Sequence, residues 1–271
     1  MSETFLQPKL NILTAALQKL TFGQRAFLKF FLLLTEHLIT VENQENLQSA
    51  PEPLIFAFNH NNSFEALLVP IYLIYCRQGR KISFVVDWMF GMVPVLGWIL
   101  KQCDPVYVYR KKSTIPWLNR LRNQPAQSVE RQCIERLANH LSIGIFPEGV
   151  RNQNPHYLLK GHKGIGHIAL KSLVPVLPIG IDFPLRQTRG QIPPLGRIVL
   201  RIGEPLQFQT EIEAYQRAGS NPNLSPGECH KLTRALASLV THRVMVELAR
   251  LSGKKYPFPP PPFTQPAETF K

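Results

Sequence analysis

Short apolar runs that alternate with stretches of helical periodicity are the feature that most constrains the fold of this chain. An apolar run of roughly four to eight residues between turn-forming residues is typical of a buried strand, whereas apolar spacings of three and four indicate a helix. Strands that alternate with helices predict a single α/β domain with a mostly parallel or mixed sheet covered by helices. The predicted strands are residues 54–58, 82–86, 106–109, 142–146, 176–181 and 198–202, and the predicted helices are residues 64–76, 128–140, 164–172 and 228–251.

Ahead of this domain, two apolar stretches with helical spacing are separated by a break near residues 21–23. With basic residues among them, they predict an N-terminal amphipathic helical hairpin of the kind that lies in a membrane interface. An ordinary helical layer packed on the domain is the alternative. We therefore divide the chain into a membrane-associating segment at 1–42, an α/β domain at 43–253 and a proline-rich tail at 254–271. The apolar residues of the hairpin are Leu10, Leu13, Leu17, Leu20, Phe27, Phe30, Phe31, Leu34 and Leu38.

The charge balance is strongly basic, with 31 Lys and Arg residues against 18 Asp and Glu residues and a formal net charge of +13. Such a surface favours anionic partners. Because the basic residues are scattered among large apolar side chains, we expect an anionic membrane surface as the partner. Nucleic acid is not expected, since the cations form neither a recognition helix nor a strand with stacking aromatics.

The cysteine pattern and the N-terminal residues predict a cytoplasmic protein. The four cysteines stand far apart, so neither a disulfide framework nor a zinc site is indicated. The first residues lack the basic-then-apolar order of a secretory signal. The longest apolar stretch, residues 84–100, is interrupted by Asp87 and Pro94, so no spanning helix is predicted. We expect a cytoplasmic protein that is peripheral on the inner face of a membrane.

A polar cluster with His60 and Glu65 follows directly after the predicted strand at 54–58. Histidine titrates near neutral pH and can take a proton from an attacking hydroxyl. A carboxylate in the first turn of the next helix can fold back onto the ring and fix its tautomer. The spacing alone favours a surface or capping histidine, since a histidine and a glutamate five residues apart often occur by chance.

A second cluster, with Glu148, Gly149 and Arg151, follows the predicted strand at 142–146. Arginine presents a planar fork of donors that matches phosphate oxygens, and glycine permits a tight turn beside a ligand. Another cation, Arg110, follows the strand at 106–109. Ligands in open α/β sheets bind at the carboxyl ends of the strands, so we expect these clusters to form one site.

Together these motifs resemble the glycerophosphate acyltransferase superfamily, most closely its 1-acyl-glycerol-3-phosphate acyltransferases. Members of this family carry four motifs in a fixed order along the chain. These are an Asn-His motif with a following acid, a Gly-Trp pair ahead of a strand end, a Phe-Pro-Glu-Gly turn with an arginine, and a valine-proline strand. The chain carries all of them in this order. The matching residues are Asn59, His60, Ser63 and Glu65; Gly97, Trp98 and Arg110; Phe146, Pro147, Glu148, Gly149 and Arg151; Lys163 and Gly164; and Val174, Pro175, Val176, Pro178 and Ile179.

The resemblance implies that the hydroxyl of a lysophospholipid attacks an acyl thioester. With 1-acyl-glycerol-3-phosphate as the acceptor, the product is phosphatidic acid. No metal and no tightly bound cofactor is implied, and acyl-CoA or acyl carrier protein enters as the co-substrate. The resemblance assigns His60 as general base, Glu65 as its orienting acid, Arg110 and Arg151 as phosphate ligands, and Glu148 and Gly149 as lining residues of the acceptor pocket.

The chain departs from the family motifs at several positions. Glu65 replaces an aspartate, Val150 replaces a threonine, and Tyr109 replaces an acid. These departures keep two alternatives open. One is an acyltransferase of the same fold with a non-phosphate or glycolipid acceptor, and the other is a catalytically silent membrane lipid-binding protein.

Overall fold

A mixed sheet lies at the centre of the molecule, seen in a computed structural model that describes residues 12–62, 64–92, 94–109, 119–120 and 126–262. Within these residues the sheet has seven strands. They are β1 (Ile39–Glu42), β2 (Ile55–Phe58), β3 (Ile82–Asp87), β4 (Val106–Val108), β5 (Ser142–Ile145), β6 (Val176–Asp182) and β7 (Ile198–Ile202).

The order of the strands places five carboxyl ends on one edge. The sheet runs β1-β7-β6-β2-β5-β3-β4, and only the pairing of β6 with β7 is antiparallel among the described strands. The strands β6, β2, β5, β3 and β4 therefore run in one direction, and the loops that leave them emerge side by side. This arrangement brings together the polar clusters that follow β2 and β5.

Helices cover both faces of the sheet because neighbouring residues of each strand point to opposite sides. Ile55 and Ala57 of β2 belong to one apolar cluster, whereas Phe56 and Phe58 belong to another on the opposite face. The described α-helices are α1 (Phe22–Thr35), α2 (Glu45–Ser49), α3 (Glu65–Cys76), α4 (Pro94–Lys101), α5 (Val129–Ala138), α6 (Gly164–Ser172), α7 (Leu185–Arg189), α8 (Gln209–Ser220) and α9 (Pro226–Ser252).

Each face of the sheet has its own helical layer. The apolar residues of α5, α6 and α9 pack in the first cluster, and those of α3 pack in the second. A third, smaller cluster joins Leu28 and Leu32 of α1 to Ile71 and Ile74 of α3. The N-terminal segment is thus attached to the domain through α3, the helix that begins at Glu65.

The predicted fold class is confirmed, and each predicted strand is present with its ends within one residue of the prediction. The four predicted helices are present as α3, α5, α6 and α9. The strand β1 was not predicted, because it is short, only half-buried and lies at the sheet edge beside β7. Residues 39–42 therefore belong to the sheet, although the predicted domain boundary at 42/43 placed them in the helical segment.

The N-terminal hairpin differs in part from its prediction. Residues 12–14 are helical, but residues 15–20 are not, so the first predicted helix does not reach Leu20. The backbone of Leu17 has a positive φ of 43°, and Thr21 starts α1 with a capping box to Gln24. The second predicted helix is present as α1, and residues 1–11 lie outside the described part of the chain. None of the described helices is both long enough and apolar enough to cross a membrane.

Candidate active site

The loops after β2 and β5 meet and hold each other in place. The strands are parallel neighbours with Ala57 opposite Ile145, so His60 and Glu148 leave the sheet side by side. The backbone N–H of His60 donates to Oε1 of Glu148 at 3.0 Å, and the N–H of Asn152 donates to the carbonyl of His60 at 2.7 Å. The two predicted motifs therefore form one structural unit.

His60 and Glu65 form a side-chain pair at the centre of this unit. Nδ1 of His60 lies 3.1 Å from Oε1 of Glu65, and the Glu65 side chain is 0% exposed against 16% for that of His60. A carboxylate only accepts hydrogen bonds, so in the neutral ring Nδ1 carries the proton and Nε2 carries the lone pair. The ring of Phe146 packs against the imidazole at a centroid distance of 4.5 Å. The arrangement supplies a positioned base whose Nε2 carries the lone pair.

The loop between β2 and α3 wraps around the Glu65 carboxylate. Oε1 also accepts from the backbone N–H groups of Asn61 and Asn62, and Oε2 accepts from Nδ2 of Asn61 at 2.9 Å. The side chain of Asn62 accepts from the N–H groups of Phe64 and Glu65, at 2.9 Å and 3.2 Å. Asn62 therefore satisfies the first amides of α3. The loop accommodates the longer acid because it closes around the glutamate carboxylate.

Two asparagines tie this loop to the strand on its other side. The Asn59 side chain accepts from the N–H of Ile181 at 2.6 Å and donates to its carbonyl at 2.9 Å. Nδ2 of Asn61 donates to the same carbonyl at 3.1 Å. Asn59 thereby continues the β2–β6 pairing beyond the last residue of the strand. Both asparagines are buried, and their position directly after a strand was the only signal for them in the sequence.

The Glu148 carboxylate joins the loop after β2 to two positions of its own loop. Besides the N–H of His60, it accepts from Nδ2 of Asn152 and from the N–H of Leu159, both at 2.8 Å. Gly149 turns the chain with a φ of 69°, a conformation that favours glycine. The structure thus gives Glu148 a role in holding the loop. The contact of Glu148 and Gly149 with an acceptor stays a prediction.

The predicted phosphate ligands occupy a more open position. Arg151 is exposed and directly precedes Asn152, whose N–H bonds to the His60 carbonyl, so the arginine stands at the rim of the same loop. Arg110 lies outside the described residues, and β4 ends two residues before it at Val108. Val150 is exposed beside Arg151. The phosphate-binding roles of both arginines stay predictions.

Lys254 is a site residue that the sequence analysis missed. Its Nζ donates to Oδ1 of Asn61 at 2.6 Å and to the carbonyl of Asn154 at 2.8 Å, and the residue is only 6% exposed. Burial lowers the pKa of Lys254 to about 8, against the opposing charges of Glu148 and Glu65. The residue stands in the predicted proline-rich tail, where no local pattern distinguishes it.

Other reactive side chains do not join the site. Burial raises the pKa of Cys133 to about 12 and that of Cys103 to about 11, which keeps both as thiols at neutral pH. Both pack against apolar clusters. Within the described residues, no three His, Cys, Asp or Glu side chains come together as a metal-binding group.

Comparison with protein families gives a match over residues 38–182, to the family described as Acyltransferase. The match begins at the β1 edge of the sheet and ends at the last residue of β6. It therefore contains the His60–Glu65 pair and the loop of Glu148. It ends before Lys254.

Curated relatives match the same part of the chain. The chloroplastic 1-acyl-sn-glycerol-3-phosphate acyltransferase of Arabidopsis thaliana is 26% identical over 160 residues, 58% of this chain and 38% of the relative. The human 1-acyl-sn-glycerol-3-phosphate acyltransferase beta is 27% identical over 157 residues, 57% of this chain and 49% of the relative. An uncharacterized acyltransferase of Schizosaccharomyces pombe is 25% identical over 174 residues, 61% of this chain and 55% of the relative. The matched region thus spans about two fifths to just over half of these relatives.

Among solved structures, the chain is similar to the 1-acyl-sn-glycerophosphate acyltransferase of Thermotoga maritima. The TM-score is 0.47 at 24% sequence identity, with 92% of this chain and 83% of that chain covered.

Proposed function

The chain belongs to the acyltransferase family, and from this premise we propose that it moves a fatty acyl group from an acyl thioester to the hydroxyl of a lysophospholipid. The proposed acceptor is 1-acyl-glycerol-3-phosphate, which gives phosphatidic acid. Relatives from Arabidopsis thaliana and human carry the name of this activity. The observation that carries the proposal is the buried Glu65 carboxylate on Nδ1 of His60, which leaves Nε2 for an acceptor hydroxyl.

In the proposed reaction, Nε2 of His60 takes the proton of the acceptor hydroxyl as its oxygen attacks the thioester carbonyl carbon. A carbon–oxygen bond forms, the carbon–sulfur bond breaks, and the imidazolium returns its proton to the departing sulfur. Glu65 stabilises the imidazolium and holds the ring in one orientation, since its carboxylate is itself fixed by Asn61 and Asn62. The chemistry uses side chains of this chain and requires no metal or tightly bound cofactor.

Arg151 is proposed to bind the acceptor phosphate, with Arg110 as the second ligand. Support for Arg151 comes from its exposed position directly before Asn152, whose backbone N–H donates to the carbonyl of His60. A guanidinium there can bind phosphate oxygens with two hydrogen bonds, which orients the acceptor as well as attracting it. The donor carrier is acyl-CoA or acyl carrier protein.

Peripheral association with an anionic membrane is proposed for the N-terminal segment. Phe22 and Phe30 of α1 are 85% and 64% exposed, whereas Leu28 and Leu32 of the same helix are buried. Trp98 of α4 is 50% exposed, and its ring packs edge-on against Phe27 of α1 at 6.0 Å. Exposed aromatic side chains beside basic residues are suited to the membrane interface.

The test is acyl transfer from a labelled acyl thioester to 1-acyl-glycerol-3-phosphate, with vesicles present, by wild type and by His60→Ala. We expect wild-type turnover and a loss of at least about 10³-fold in kcat for the variant. A control variant, His140→Ala, removes an exposed histidine outside the site and should keep the wild-type rate.

The acceptor is examined in the same assay. An Arg151→Ala variant with a strongly raised KM for the phosphate acceptor supports phosphate binding, whereas an unchanged KM moves the proposal to a non-phosphate or glycolipid acceptor. Wild type without turnover on any acyl acceptor, but with vesicle binding, would overturn the enzyme proposal and favour a silent lipid-binding protein.

A further inference from the structure

A buried group of charges lies behind the His60–Glu65 pair. It contains the carboxylates of Glu65, Glu148 and Asp182 and the cations Lys254 and Arg186, all less than a tenth exposed. The two cations come from residues beyond the part of the chain that matches the family. Buried charges are costly unless they are paired and hydrogen-bonded, so such a group requires an explanation.

The end of α9 is held where it can deliver Lys254 to this group. Gly253 ends the helix with a φ of 64° and turns the chain toward the site. Gly180 of β6 permits the approach, since a Cβ there would lie 2.4 Å from the Leu251 backbone. Arg186 donates to the carbonyls of Ser252 and Gly253 at 3.1 Å and 3.0 Å, and to Asp182 at 2.7 Å. The backbone on both sides of Gly253 is thus fixed.

The Lys254 ammonium holds the oxygen end of the Asn61 amide, which Nδ2 of Asn59 also approaches at 3.4 Å. An ammonium only donates, so the atom it contacts at 2.6 Å must be the Asn61 oxygen. The Asn61 NH₂ group then points the other way and donates to Oε2 of Glu65 at 2.9 Å and to the carbonyl of Ile181 at 3.1 Å. A chain of hydrogen bonds therefore runs from Lys254 through Asn61 and Glu65 to Nδ1 of His60.

From this geometry we propose that Lys254 is a positioning residue of the active site, which orients Asn61 and keeps the Glu65 carboxylate in place on His60. This inference rests on the proposed acyl transfer. It makes the segment after α9 a part of the active site, although the family match ends long before it.

Deprotonation of Lys254 would weaken its hydrogen bond to the Asn61 oxygen. Burial lowers its pKa to about 8, with the carboxylates of Glu148, Glu65 and Asp182 raising it and Arg186 lowering it further. Above that pH the amine is neutral and its contact with the Asn61 oxygen is no longer charge-assisted, so Asn61 and the Glu65 carboxylate are held less firmly. Wild-type kcat should therefore fall above pH about 8.

The first experiment compares wild type with Lys254→Met and Lys254→Arg in the acyl-transfer assay from pH 6 to 10, corrected for thioester hydrolysis. Lys255→Met is the matched control, because Lys255 is exposed and bonds to His156 and Leu158 through its backbone. At neutral pH, Lys254→Met should lower kcat about 10- to 100-fold with KM nearly unchanged. Its profile should lack the fall above pH 8, while Lys255→Met should follow wild type.

Lys254→Arg keeps the charge and should recover part of kcat without the fall above pH 8. In an Asn61→Ala background, Lys254→Met should change kcat by less than about threefold, since the two residues act in series. Wild-type kcat in Lys254→Met would overturn the proposal. A reduced kcat that still falls above pH 8 would also overturn it, because it would show a structural defect only.

A readout without turnover separates this inference from the proposed function. The NMR signals of the Asn61 side-chain amide should shift with a midpoint near pH 8 in wild type and stay constant in Lys254→Met. Wild type without acyl transfer but with this titration would reject the acceptor chemistry and support the role of Lys254. The same titration in both proteins would reject the role of Lys254.

Discussion

Two regions of this molecule use their side chains in opposite ways. At the active-site edge, formed by residues 59–65, 148–152 and 254, buried polar groups bond to one another across loops. On the N-terminal surface, formed by Leu13, Phe22, Phe30, Leu34 and Trp98, large apolar side chains are exposed. Hydrogen bonds fix atoms to within fractions of an ångström, whereas apolar contact depends on area alone. The first region suits chemistry, and the second suits adhesion to a membrane.

The difference predicts that variants in one region leave the other function intact. Active-site variants should change kcat and not vesicle binding, and variants of the N-terminal surface should do the reverse. The following experiments test this separation.

The largest effect is expected for Glu65→Gln. An amide has one acceptor oxygen, so its NH₂ group would face the Asn61 NH₂ that now donates to Oε2, and the negative charge that stabilises the imidazolium is lost. We expect kcat to fall about 10²- to 10³-fold, with vesicle binding unchanged, measured by acyl transfer and by co-sedimentation.

Glu65→Asp restores the acid of the family motif, and its kcat should lie between that of wild type and that of Glu65→Gln. The loop is closed around the longer side chain, so a shorter acid cannot keep both His60 and the Asn61 amide in reach. A loss of about tenfold in kcat is expected. A rate equal to wild type would show that the loop readjusts.

The next effect concerns stability and pH, and it is confined to the active-site edge. The pKa of Lys254 is about 8 in the folded protein, below its ordinary value, so between pH about 8 and 10.5 the unfolded chain binds more protons. The free energy of unfolding should therefore rise with pH in that window, by at most about 3 kcal/mol, relative to Lys254→Met. Urea unfolding of both proteins at pH 7 and pH 10 measures this difference. An identical pH dependence would contradict it.

Glu148→Gln should have a smaller effect on kcat than Glu65→Gln. The Glu148 carboxylate accepts from His60, Asn152 and Leu159 and holds the backbone of the loop, whereas Glu65 contacts the imidazole itself. We expect a loss of about 10- to 30-fold in kcat and a destabilisation of about 1–2 kcal/mol, measured by kinetics and by denaturant unfolding. A loss as large as that of Glu65→Gln would place Glu148 in direct contact with the reacting groups.

The smallest effect on turnover is expected for variants of the N-terminal surface. The double variant Phe22→Ser/Phe30→Ser should lower affinity for anionic vesicles about tenfold, because less apolar area enters the interface. Transfer to a short-chain, water-soluble acceptor should be unchanged. Leu195→Ser is the matched control, since Leu195 is similarly exposed elsewhere in the chain. Equal loss of affinity in the control would show that position does not matter.

Apolar runs and spacing predicted six of the seven described strands, four of the described helices of the α/β domain and the local part of the candidate site. The five-residue step from His60 to Glu65 is enough to close a hydrogen-bonded loop, and Gly149 forms its turn with its own neighbours. Such contacts depend on residues close together in the chain, so periodicity and spacing reveal them. The edge strand β1 and the helices α2, α4, α7 and α8 were not predicted. The residues of β1 and most of those of α8 are exposed or half-buried, so these two elements lack the apolar run that marks a buried element.

The residues that complete the candidate site from distant parts of the chain could be identified only from the tertiary structure. Glu148 bonds the His60 backbone from 88 positions away, and Lys254 reaches Asn61 from 193 positions away. Their meeting depends on the order of β2, β5 and β6 and on how closely the end of α9 approaches Gly180. No local pattern carries that information, because packing brings together residues whose separation along the chain is arbitrary. The His60–Glu65 pair was thus predictable from the sequence, while the residue proposed to position it appeared only when the chain was folded.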